Sequence, residues 1–550
     1  MINSIFRKGL VFGIIFLFIG AGIIPSTVGI NKEKTIIATF GSRGYIQDLI
    51  DNASDGDTIF IPCGIYYENI VINKSISLIG EDKNTTIIDG GIYYFFYVIY
   101  ITADWVNISG FTIKSIEFNY GGAIYIQSNY NTITDNIICQ NTIGINIEDS
   151  SRNNINNNTI LDNYYYGIII IESSYCTLKN NHIINSGFNF GIHPYSIEDF
   201  IHDIDKSNTV DGKPIYYWCN IKNAEIPHDA AYVALINCSN INVNNLTLIN
   251  NYPGLLLVNS TNCIIKQNNI LNNFLDSPFG YGVFLLYSSN NFIEYNNILN
   301  QETGISNVES TNNTIIGNNI SECDSGIWRN FYNIIRDNNL FNNYKGLDYN
   351  CNSVIEGNKI YSNNCGMGSG YGENTITDND IFDNFEGIGY IGENNLISNN
   401  NIFNNNYGIN NYYGNYNIII KNNIISNSEY GIHLYSCKEN CIYHNNFINN
   451  TQNAKDGGYD NYWDDGKHGN YWSDYEEKYP NAKKKPFKGI WDTPYEIEGW
   501  DSKDNYPLIK QWPDSRTITI TRNIVTFNYL FHWFLERFPI LQKILNFLTI

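Results

Sequence analysis

The stretch NTITDNIICQNTIGINIEDS, residues 131–150, decides the fold of this chain because close copies of it recur along most of the sequence. The copies share the pattern N-x-I-x-x-N-x-I-x-x-N-x-x-G-I-x-I-x-x-S, and from Gly282 to Gly431 their Gly-apolar steps are 20 to 23 residues apart. A period of this length over so many copies is typical of stacked supersecondary units. The steps begin at Gly144, Gly167, Gly282, Gly304, Gly326, Gly346, Gly366, Gly387, Gly408 and Gly431.

Within each copy, apolar and polar residues alternate in short runs, which is the period of a β-strand. Asn pairs such as Asn180-Asn181 and Asn422-Asn423 separate the runs, and Asn tolerates the left-handed backbone of tight turns. A leucine-rich repeat has a similar period but needs a helical or Leu-spaced second half, which this sequence lacks. We therefore predict an all-β fold: a single-stranded right-handed parallel β-helix, a pectate-lyase-like solenoid.

The Asn residues have a structural explanation in such a fold. Successive coils of a β-helix lie one strand spacing apart, about 4.8 Å. Ile side chains of successive coils then stack inside the solenoid, and equivalent Asn amides bond from coil to coil. We interpret most of the Asn as turn and ladder residues rather than as ligand-binding groups.

The first 65 residues differ from the repeat. Residues 1–29 carry Arg7-Lys8, an apolar run from Leu10 to Ile24 and then small residues, which predicts a secretory signal peptide. An uncleaved membrane anchor is the alternative, because the apolar run is close to spanning length. Residues 30–65 are predicted to form an N-terminal cap, in which a short amphipathic helix covers the edge of the first coil.

The rest of the chain is predicted to contain four more regions. The parallel β-helix spans residues 66–450 and loses its period at about 191–240, where we expect an insert that projects as a hairpin from one coil. Residues 451–510, rich in Trp, Tyr and Asp, predict an aromatic C-terminal cap, and residues 511–528 a polar linker. Residues 529–550 predict an amphipathic tail that contacts a membrane interface, a partner or the β-helix itself.

Composition limits the classes of partner. The net charge of −21 and the pI of about 4.7 disfavour nucleic acid and anionic lipid surfaces. Aromatic residues make up 15% of the chain and include 43 Tyr. Solvent-facing rings suit sugars, because an aromatic face packs on C–H groups while a hydroxyl bonds; the alternative is that the rings fill coil interiors.

The cysteine pattern predicts mainly unpaired thiols. Eleven Cys is an odd number, none forms a C-x-x-C pair, and most occupy positions that are apolar in a coil. Cys437 with Cys441 and Cys351 with Cys365 are the candidate disulfide pairs.

The groove face of the β-helix is predicted from the residue two positions after each Gly, which points outward. Stacking places these residues in one column, where we expect a carbohydrate groove lined by Tyr164, Tyr165, Tyr166, Phe284, Trp328 and Asp348. Glycoside hydrolysis needs two carboxylates, and the column offers one, Asp348. The full column is Asn146, Ile169, His193, Leu256, Phe284, Ser306, Trp328, Asp348, Gly368, Gly389, Asn410 and His433.

Two further groups are candidate sites. His202, Asp203, Asp205 and Asp211 in the insert are the residue types that bind a metal or act as acid and base, with solvated turn residues as the alternative. The loop with Asp464, Asp465 and Asp474 is a candidate for calcium, although Lys483 to Lys485 and Lys488 oppose a cation there. Because the eight His are dispersed and Met occurs only twice, we predict no bound cofactor, with calcium and copper as alternatives.

Five segments resemble the NosD-like right-handed β-helix proteins, in particular the archaeal secreted versions, over about residues 40 to 510. The resemblance implies a periplasmic or surface location and, from the family name, copper-centre maturation for nitrous oxide reductase. The repeat also resembles the carbohydrate-binding and sugar-hydrolase module. The segments are GYIQDLIDNASDGDTI (44–59), YENIVINKSISLIG (67–80), DGKPIYYW (211–218), DTPY (492–495) and NYPL (505–508).

Together these patterns predict a secreted or cell-surface protein that binds extended carbohydrate ligands or serves as a surface scaffold or adhesin. The first alternative is a polysaccharide lyase, hydrolase or epimerase. The second alternative is a periplasmic factor that binds copper. The expected partner is a polysaccharide or surface glycan.

Overall fold

The computed structural model describes residues 35–37, 44–90, 97–115, 122–193, 196–273, 280–368 and 370–513. The predicted signal peptide, the C-terminal tail and most of the linker lie outside the described residues. Among the helices that are described, none has the length and apolar character needed to cross a membrane.

Each coil contributes one short strand to each of three parallel sheets. The strands of successive coils pair in register, so that Ile133 lies beside Ile155 and Ile155 beside Leu178. The inward Ile side chains are fully buried, as the alternating pattern requires. The result is a solenoid of about 18 coils, which confirms the predicted parallel β-helix.

The coils form two stacks, of which the first extends from the N-terminal cap to residue 210. Its three sheets are numbered 1 to 3. Sheet 1 contains Thr35–Ile37, Thr58–Ile61, Ser77–Gly80, Asn107–Ser109, Thr132–Thr134, Asn154–Asn156, Thr177–Lys179 and Asp203–Ile204. Sheet 2 contains Gly64–Tyr67, Thr86–Gly90, Thr112–Ser115, Ile137–Cys139, Thr159–Leu161, His182–Ile184 and Thr209–Val210. Sheet 3 contains Ile70–Ile72, Tyr97–Ile101, Gly122–Ile126, Ile143–Glu148, Tyr166–Ile171 and Phe188–His193.

The second stack begins at Lys213 and contains sheets 4 to 6. Sheet 4 contains Lys213–Cys219, Tyr232–Ile236, Leu255–Val258, Tyr281–Leu286, Thr303–Val308, Ser325–Phe331, Lys345–Cys351, Cys365–Gly368, Glu386–Gly389, Tyr407–Tyr412, Tyr430–Lys438, Gln452–Tyr459 and Glu498–Gly499. Sheet 5 contains Lys222–Glu225, Ser239–Asn244, Ile264–Lys266, Phe292–Glu294, Thr314–Ile316, Ile334–Arg336, Val354–Glu356, Thr375–Thr377, Leu396–Ser398, Ile418–Ile420 and Cys441–Tyr443. Sheet 6 contains Thr247–Ile249, Asn269–Leu271, Asn297–Leu299, Asn319–Ser321, Asn339–Phe341, Lys359–Tyr361, Asp380–Phe382, Asn401–Phe403, Asn423–Ile425, Asn446–Ile448 and Tyr471–Trp472.

Asn ladders hold the corners between the sheets. At Asn180-Asn181 the first residue has φ of 53° and turns the chain, while the second is buried and points inward. The Asn181 amide donates to Asn208 Oδ1 of the next coil at 2.8 Å. The repeated Asn of the sequence is therefore used for left-handed turns and for bonds between coils.

The repeated Gly of sheet 4 is explained by the close approach of neighbouring coils. A Cβ atom on Gly346 would lie 2.5 Å from the carbonyl oxygen of Gly366, and a Cβ atom on Gly326 would lie 2.5 Å from the carbonyl oxygen of Gly346. Backbone cannot give way as a flexible side chain can, so no larger residue fits this column without displacing a coil.

The two stacks meet where the period of the sequence is lost. Thr209–Val210 pairs antiparallel with the start of the strand Lys213–Cys219. Lys213–Cys219 then pairs parallel with Tyr232–Ile236 and opens the second stack. The outer face of sheet 4 is buried here, because Tyr217 and Leu256 pack into the core of the first stack. The sequence predicted a hairpin that projects from one coil; the structure instead has a junction between two stacks.

A helix and an aromatic cluster cap the two ends. The N-terminal helix, Tyr45–Asn52, receives the Glu68 carboxylate at its first turn through bonds from the N–H groups of Ile46 and Gln47, at 2.9 and 3.0 Å. Lys74 Nζ donates to three carbonyls at its C-terminal end. The negative charge at the N-terminal end and the positive charge at the C-terminal end both interact favourably with the helix dipole. The other described helices are short: Glu198–Phe200, a 3₁₀ turn, and Tyr475–Lys478.

The C-terminal cap continues the core with stacked rings. Trp472 lies between Phe447 and Tyr495, with ring centroids 4.3 and 4.1 Å apart. Its indole N–H donates to the buried Asp504 at 2.9 Å, so the ring is both packed and bonded. Two antiparallel strands, Tyr495–Glu496 and Lys503–Asp504, close the cap. The predicted capping helix and aromatic C-terminal cap are thereby confirmed.

Candidate functional site

The predicted groove column divides into two columns on different stacks. Asn146 and Ile169 lie in sheet 3 of the first stack, whereas Phe284, Trp328 and Asp348 lie in sheet 4 of the second. The prediction of one continuous column was wrong because counting from Gly cannot reveal the junction. Within sheet 4, the strand pairings place Phe284, Ser306, Trp328, Asp348 and Gly368 in one row, followed by Gly389, Asn410 and His433.

Two members of the predicted column do not line the groove. Gly191 pairs with Ile169, so His193 lies two residues further along, opposite Ile171. Leu256 pairs with Phe284 and belongs to the sheet 4 row, but it is 0% exposed because the first stack covers this part of the outer face.

The predicted tyrosines are also separated from Trp328. Tyr164, Tyr165 and Tyr166 lie at the entrance to a sheet 3 strand, where Tyr164 is 59% exposed and Tyr166 stacks on Phe188. They do not share a surface row with the sheet 4 residues, since they belong to the other stack.

An aromatic depression of about 500 Å³ surrounds Trp328, and we call it the aromatic patch. Trp328 and Tyr349 are half-buried and meet edge to face at 6.1 Å, while Tyr371 is 64% exposed. The Arg329 guanidinium lies over the Trp328 ring at 4.3 Å, which orients the indole by a cation–π contact. The lining residues are Glu309, Trp328, Arg329, Phe331, Tyr349 and Tyr371.

Next to the patch, Gly368 and Gly389 leave the column without side chains, and we call this gap the glycine notch. The Cys365 thiol forms its floor, because Cβ atoms built on the two glycines would lie 3.2 and 3.4 Å from its sulfur. Burial raises the pKa of this thiol to about 12, so it stays protonated at neutral pH.

Two carboxylates flank the notch. Asp348 is 3% exposed and pairs with Lys345 Nζ at 2.9 Å. On the other side, Glu386 accepts a bond of 2.6 Å from the Asn410 amide. Asn410 Oδ1 in turn lies 3.0 Å from His433 Nδ1. Burial, and then the nearby Lys455, lowers the pKa of His433, which favours its neutral ring.

The insert residues do not form a site with Asp348. His202 is 6% exposed at the junction, where Nδ1 accepts the Cys176 N–H at 3.2 Å and Nε2 lies 2.8 Å from the Asp199 carbonyl oxygen. Asp203 pairs with Lys179 at 2.9 Å. Asp205 and Asp211 accept backbone N–H bonds from Ser207 and Asn185. These bonds belong to turns and to the first stack, whereas Asp348 lies in the second.

The acidic loop candidate for calcium is also divided among other contacts. Asp464 accepts from Asn505, and Asp474 accepts from Asn453 and the Tyr495 hydroxyl. Asp465 points elsewhere, to His444 at 3.4 Å. The three acids therefore do not surround one position.

Several groups at the site were missed from the sequence. Glu386 and Tyr371 lie outside the position two after Gly, so the column rule did not include them. His444 and His468 are 24 residues apart, close to one coil length, and adding the repeat period to each His would have identified them as neighbours.

Solved structures with similar folds include two enzymes and a tailspike protein. A GH87 α-1,3-glucanase catalytic domain has 13% identity and a TM-score of 0.31, covering 64% of this chain and 68% of its own. A DFA-IIIase from Arthrobacter chlorophenolicus A6 has 12% identity and a TM-score of 0.29, covering 56% and 84%. The Dettilon tailspike protein has 13% identity and a TM-score of 0.25, covering 78% and 68%. At these identities the likeness concerns the fold alone.

No curated protein matches the chain. The family model described as periplasmic copper-binding protein (NosD) matches residues 50–210, 217–353 and 332–477, which cover coils of both stacks and reach into the aromatic cap. Since these matches span well over half of the chain, the protein belongs to the NosD family.

Proposed function

We propose that the protein binds an extended carbohydrate chain along the outer face of sheet 4, with the aromatic patch as the main contact. The observation that carries the proposal is the depression of about 500 Å³ in which Trp328, Tyr349 and Tyr371 expose parts of their rings. Ring faces pack on the C–H groups of sugars, and the nearby Glu309 and Arg329 supply polar partners for hydroxyls.

The shape and charge of the face support a long neutral ligand. The depression is shallow and opens onto a strand face that continues past the glycine notch to His433. The net charge of −21 disfavours a polyanion. The periplasmic description of the family agrees with the extracytoplasmic location predicted from the sequence.

The Trp328→Ala variant is expected to weaken glycan binding about tenfold or more, because anchoring aromatic residues carry most of the energy of such contacts. A glycan array with the purified protein identifies the ligand, and calorimetry then gives the dissociation constant of each variant. Tyr295→Ala is the matched control, since Tyr295 is an exposed ring at the corner between sheets 5 and 6. Equal affinity of wild type and Trp328→Ala would place the ligand elsewhere.

A second candidate function is cleavage of the bound chain. The backbones of Asp348 and Glu386 lie two coils apart, about 10 Å along the stack. Their carboxylates point toward Gly368 and Gly389 between them and are thus candidates for the pair of acids, roughly 5 to 9.5 Å apart, that glycosidases use. The Glu386 carboxylate lies over Gly389, so both acids reach toward the positions in the column that have no side chain.

If the notch is catalytic, Asp348→Asn and Glu386→Gln are each expected to reduce product formation at least about 100-fold. Chromatography of the glycan that the array identifies measures the products. Glu429→Gln, at an exposed carboxylate, is the control. Product formed at the wild-type rate by both notch variants would contradict a catalytic role of the notch. If the glycan stays intact with the wild-type protein, binding without cleavage is the function that is supported.

Copper, which the family description names, has a limited set of donors in this chain. Met367 is buried in the core, and each of the eleven thiols is free, so neither predicted disulfide pair forms. Within the described residues, one group of His, Cys or acidic side chains is close enough to share an ion: His444, Asp465 and His468. Imidazole and carboxylate suit Cu²⁺ better than Cu⁺, and these three residues would hold it.

A further inference from the structure

The last coil and the C-terminal cap bring two histidines and an aspartate together. His444 turns the chain between sheets 5 and 6 with φ of 61°, and its N–H donates to the Gly469 carbonyl at 2.8 Å. Asp465 and His468 lie on the turn of the next coil that leads to Gly469. Coil-to-coil pairing therefore brings residues distant in sequence to one corner.

The donor atoms face one another. One ligand atom from each of the three residues lies within 4.8 Å of the other two, and His444 Nε2 is 3.4 Å from Asp465 Oδ2. With bonds of about 2.0–2.1 Å, ligand atoms lie about 3.4 Å apart around a tetrahedral Zn²⁺ ion and about 2.9 Å apart at adjacent corners of a square-planar Cu²⁺ ion. His468 and the exposed Asp465 lie on a turn, where small side-chain movements bring them to that spacing.

The Asp465 carboxylate is already oriented for this role. Its Oδ1 atom accepts the N–H groups of Lys467 and His468 at 2.8 and 2.7 Å. These bonds fix the carboxylate plane and leave Oδ2 toward His444. Carboxylate ligands of metals are held in the same way by bonds outside the coordination sphere.

The His444 ring is held in a mostly buried position. Its side chain is 12% exposed, and its ring stacks on Trp512 with centroids 3.4 Å apart and planes at 7°. Asn446 anchors Trp512 by two bonds to its backbone, at 2.7 and 3.2 Å. The indole stack therefore holds the imidazole in place beside Asp465.

We propose that His444, Asp465 and His468 bind one divalent late transition-metal ion, with Cu²⁺ preferred. Two imidazole nitrogens and one carboxylate oxygen suit Cu²⁺ and Zn²⁺, and among the divalent ions affinity is highest for Cu²⁺. Calcium is excluded because it requires six to eight oxygen ligands. The site lies at the C-terminal cap and makes no use of the aromatic patch, so the two proposals stand or fall separately.

Titration of the full chain with Cu²⁺ against a competing chelator tests the site. We expect one tight equivalent with a nitrogen-coordinated electron paramagnetic resonance signal. We also expect partial quenching of tryptophan fluorescence, since Trp512 stacks on a ligand ring; withdrawal of Cu²⁺ by excess chelator should restore the emission. His468→Gln, on an exposed turn with little risk to folding, should lower Cu²⁺ affinity at least tenfold, as should Asp465→Asn.

Two controls separate this site from other metal binding. Trp512→Phe should retain the tight equivalent but lose the Cu²⁺-dependent quenching, and His228→Gln, at an exposed position remote in the fold, should behave as wild type. Unchanged melting temperatures show that the variants fold. Wild-type affinity in both ligand variants, or the absence of a tight equivalent in wild type, would overturn the proposal.

Discussion

Asn358→Ala is expected to lower the free energy of unfolding by about 4 kcal/mol. Asn358 is fully buried in the ladder between sheets 5 and 6, where its Oδ1 accepts the backbone and side-chain N–H groups of Asn338 at 2.9 and 3.0 Å. Its amide donates to the Ile335 carbonyl at 2.9 Å and to Asn379. Alanine leaves several buried polar groups without partners, and each costs about 1–3 kcal/mol.

Denaturant unfolding followed by tryptophan fluorescence measures this change, because Trp463 and Trp472 report on the core of the second stack. Asn364→Ala is the matched control: it lies on the next corner of the same coil but is exposed, so we expect a change within about 0.5 kcal/mol. A loss below 1 kcal/mol for Asn358→Ala would mean that the ladder amides contribute little beyond the strand pairing.

The coil architecture was predictable from sequence because it is set by local, repeated features. A turn residue, a buried Asn and an alternating strand recur in each copy, and every coil contacts only its neighbours. The junction was not predictable for the opposite reason. Tyr217 and Leu256 have the outward positions of ordinary groove residues, and only the contact with the first stack buries them.

The candidate site was predictable in part. Trp328 and Asp348 came from counting along one column, and the strand register places them side by side. Glu386 is the first residue of a strand two coils away from Asp348, outside the counted column. It reaches the glycine notch only because its side chain points toward Gly389, which counting along the sequence does not reveal. Asp465 was predicted as part of an acidic loop, but hydrogen bonds within the cap direct Asp464 and Asp474 elsewhere and leave Asp465 to the histidines.

Lowering the pH from about 6.5 to 4 is expected to destabilise the junction through His202. Burial lowers the pKa of His202 to about 4, only partly opposed by its bond to the Asp199 carbonyl. The unfolded chain has the ordinary value of about 6.5 and binds a proton first as the pH falls. Stability is therefore complete above pH 6.5 and decreases by up to about 3 kcal/mol as the pH approaches 4.

The effect of His202 protonation can be separated from the titration of the many carboxylates by replacing His202 with side chains that do not titrate. His202→Asn retains an acceptor for the Cys176 N–H, and His202→Gln retains a donor for the Asp199 carbonyl, so each preserves one of the two bonds. The difference in unfolding free energy between wild type and either variant is expected to change by about 3 kcal/mol between pH 7 and 4, in favour of the variant at low pH. A constant difference across this range would show that His202 is charged or solvated in the folded protein, and that burial at the junction is not what sets its protonation.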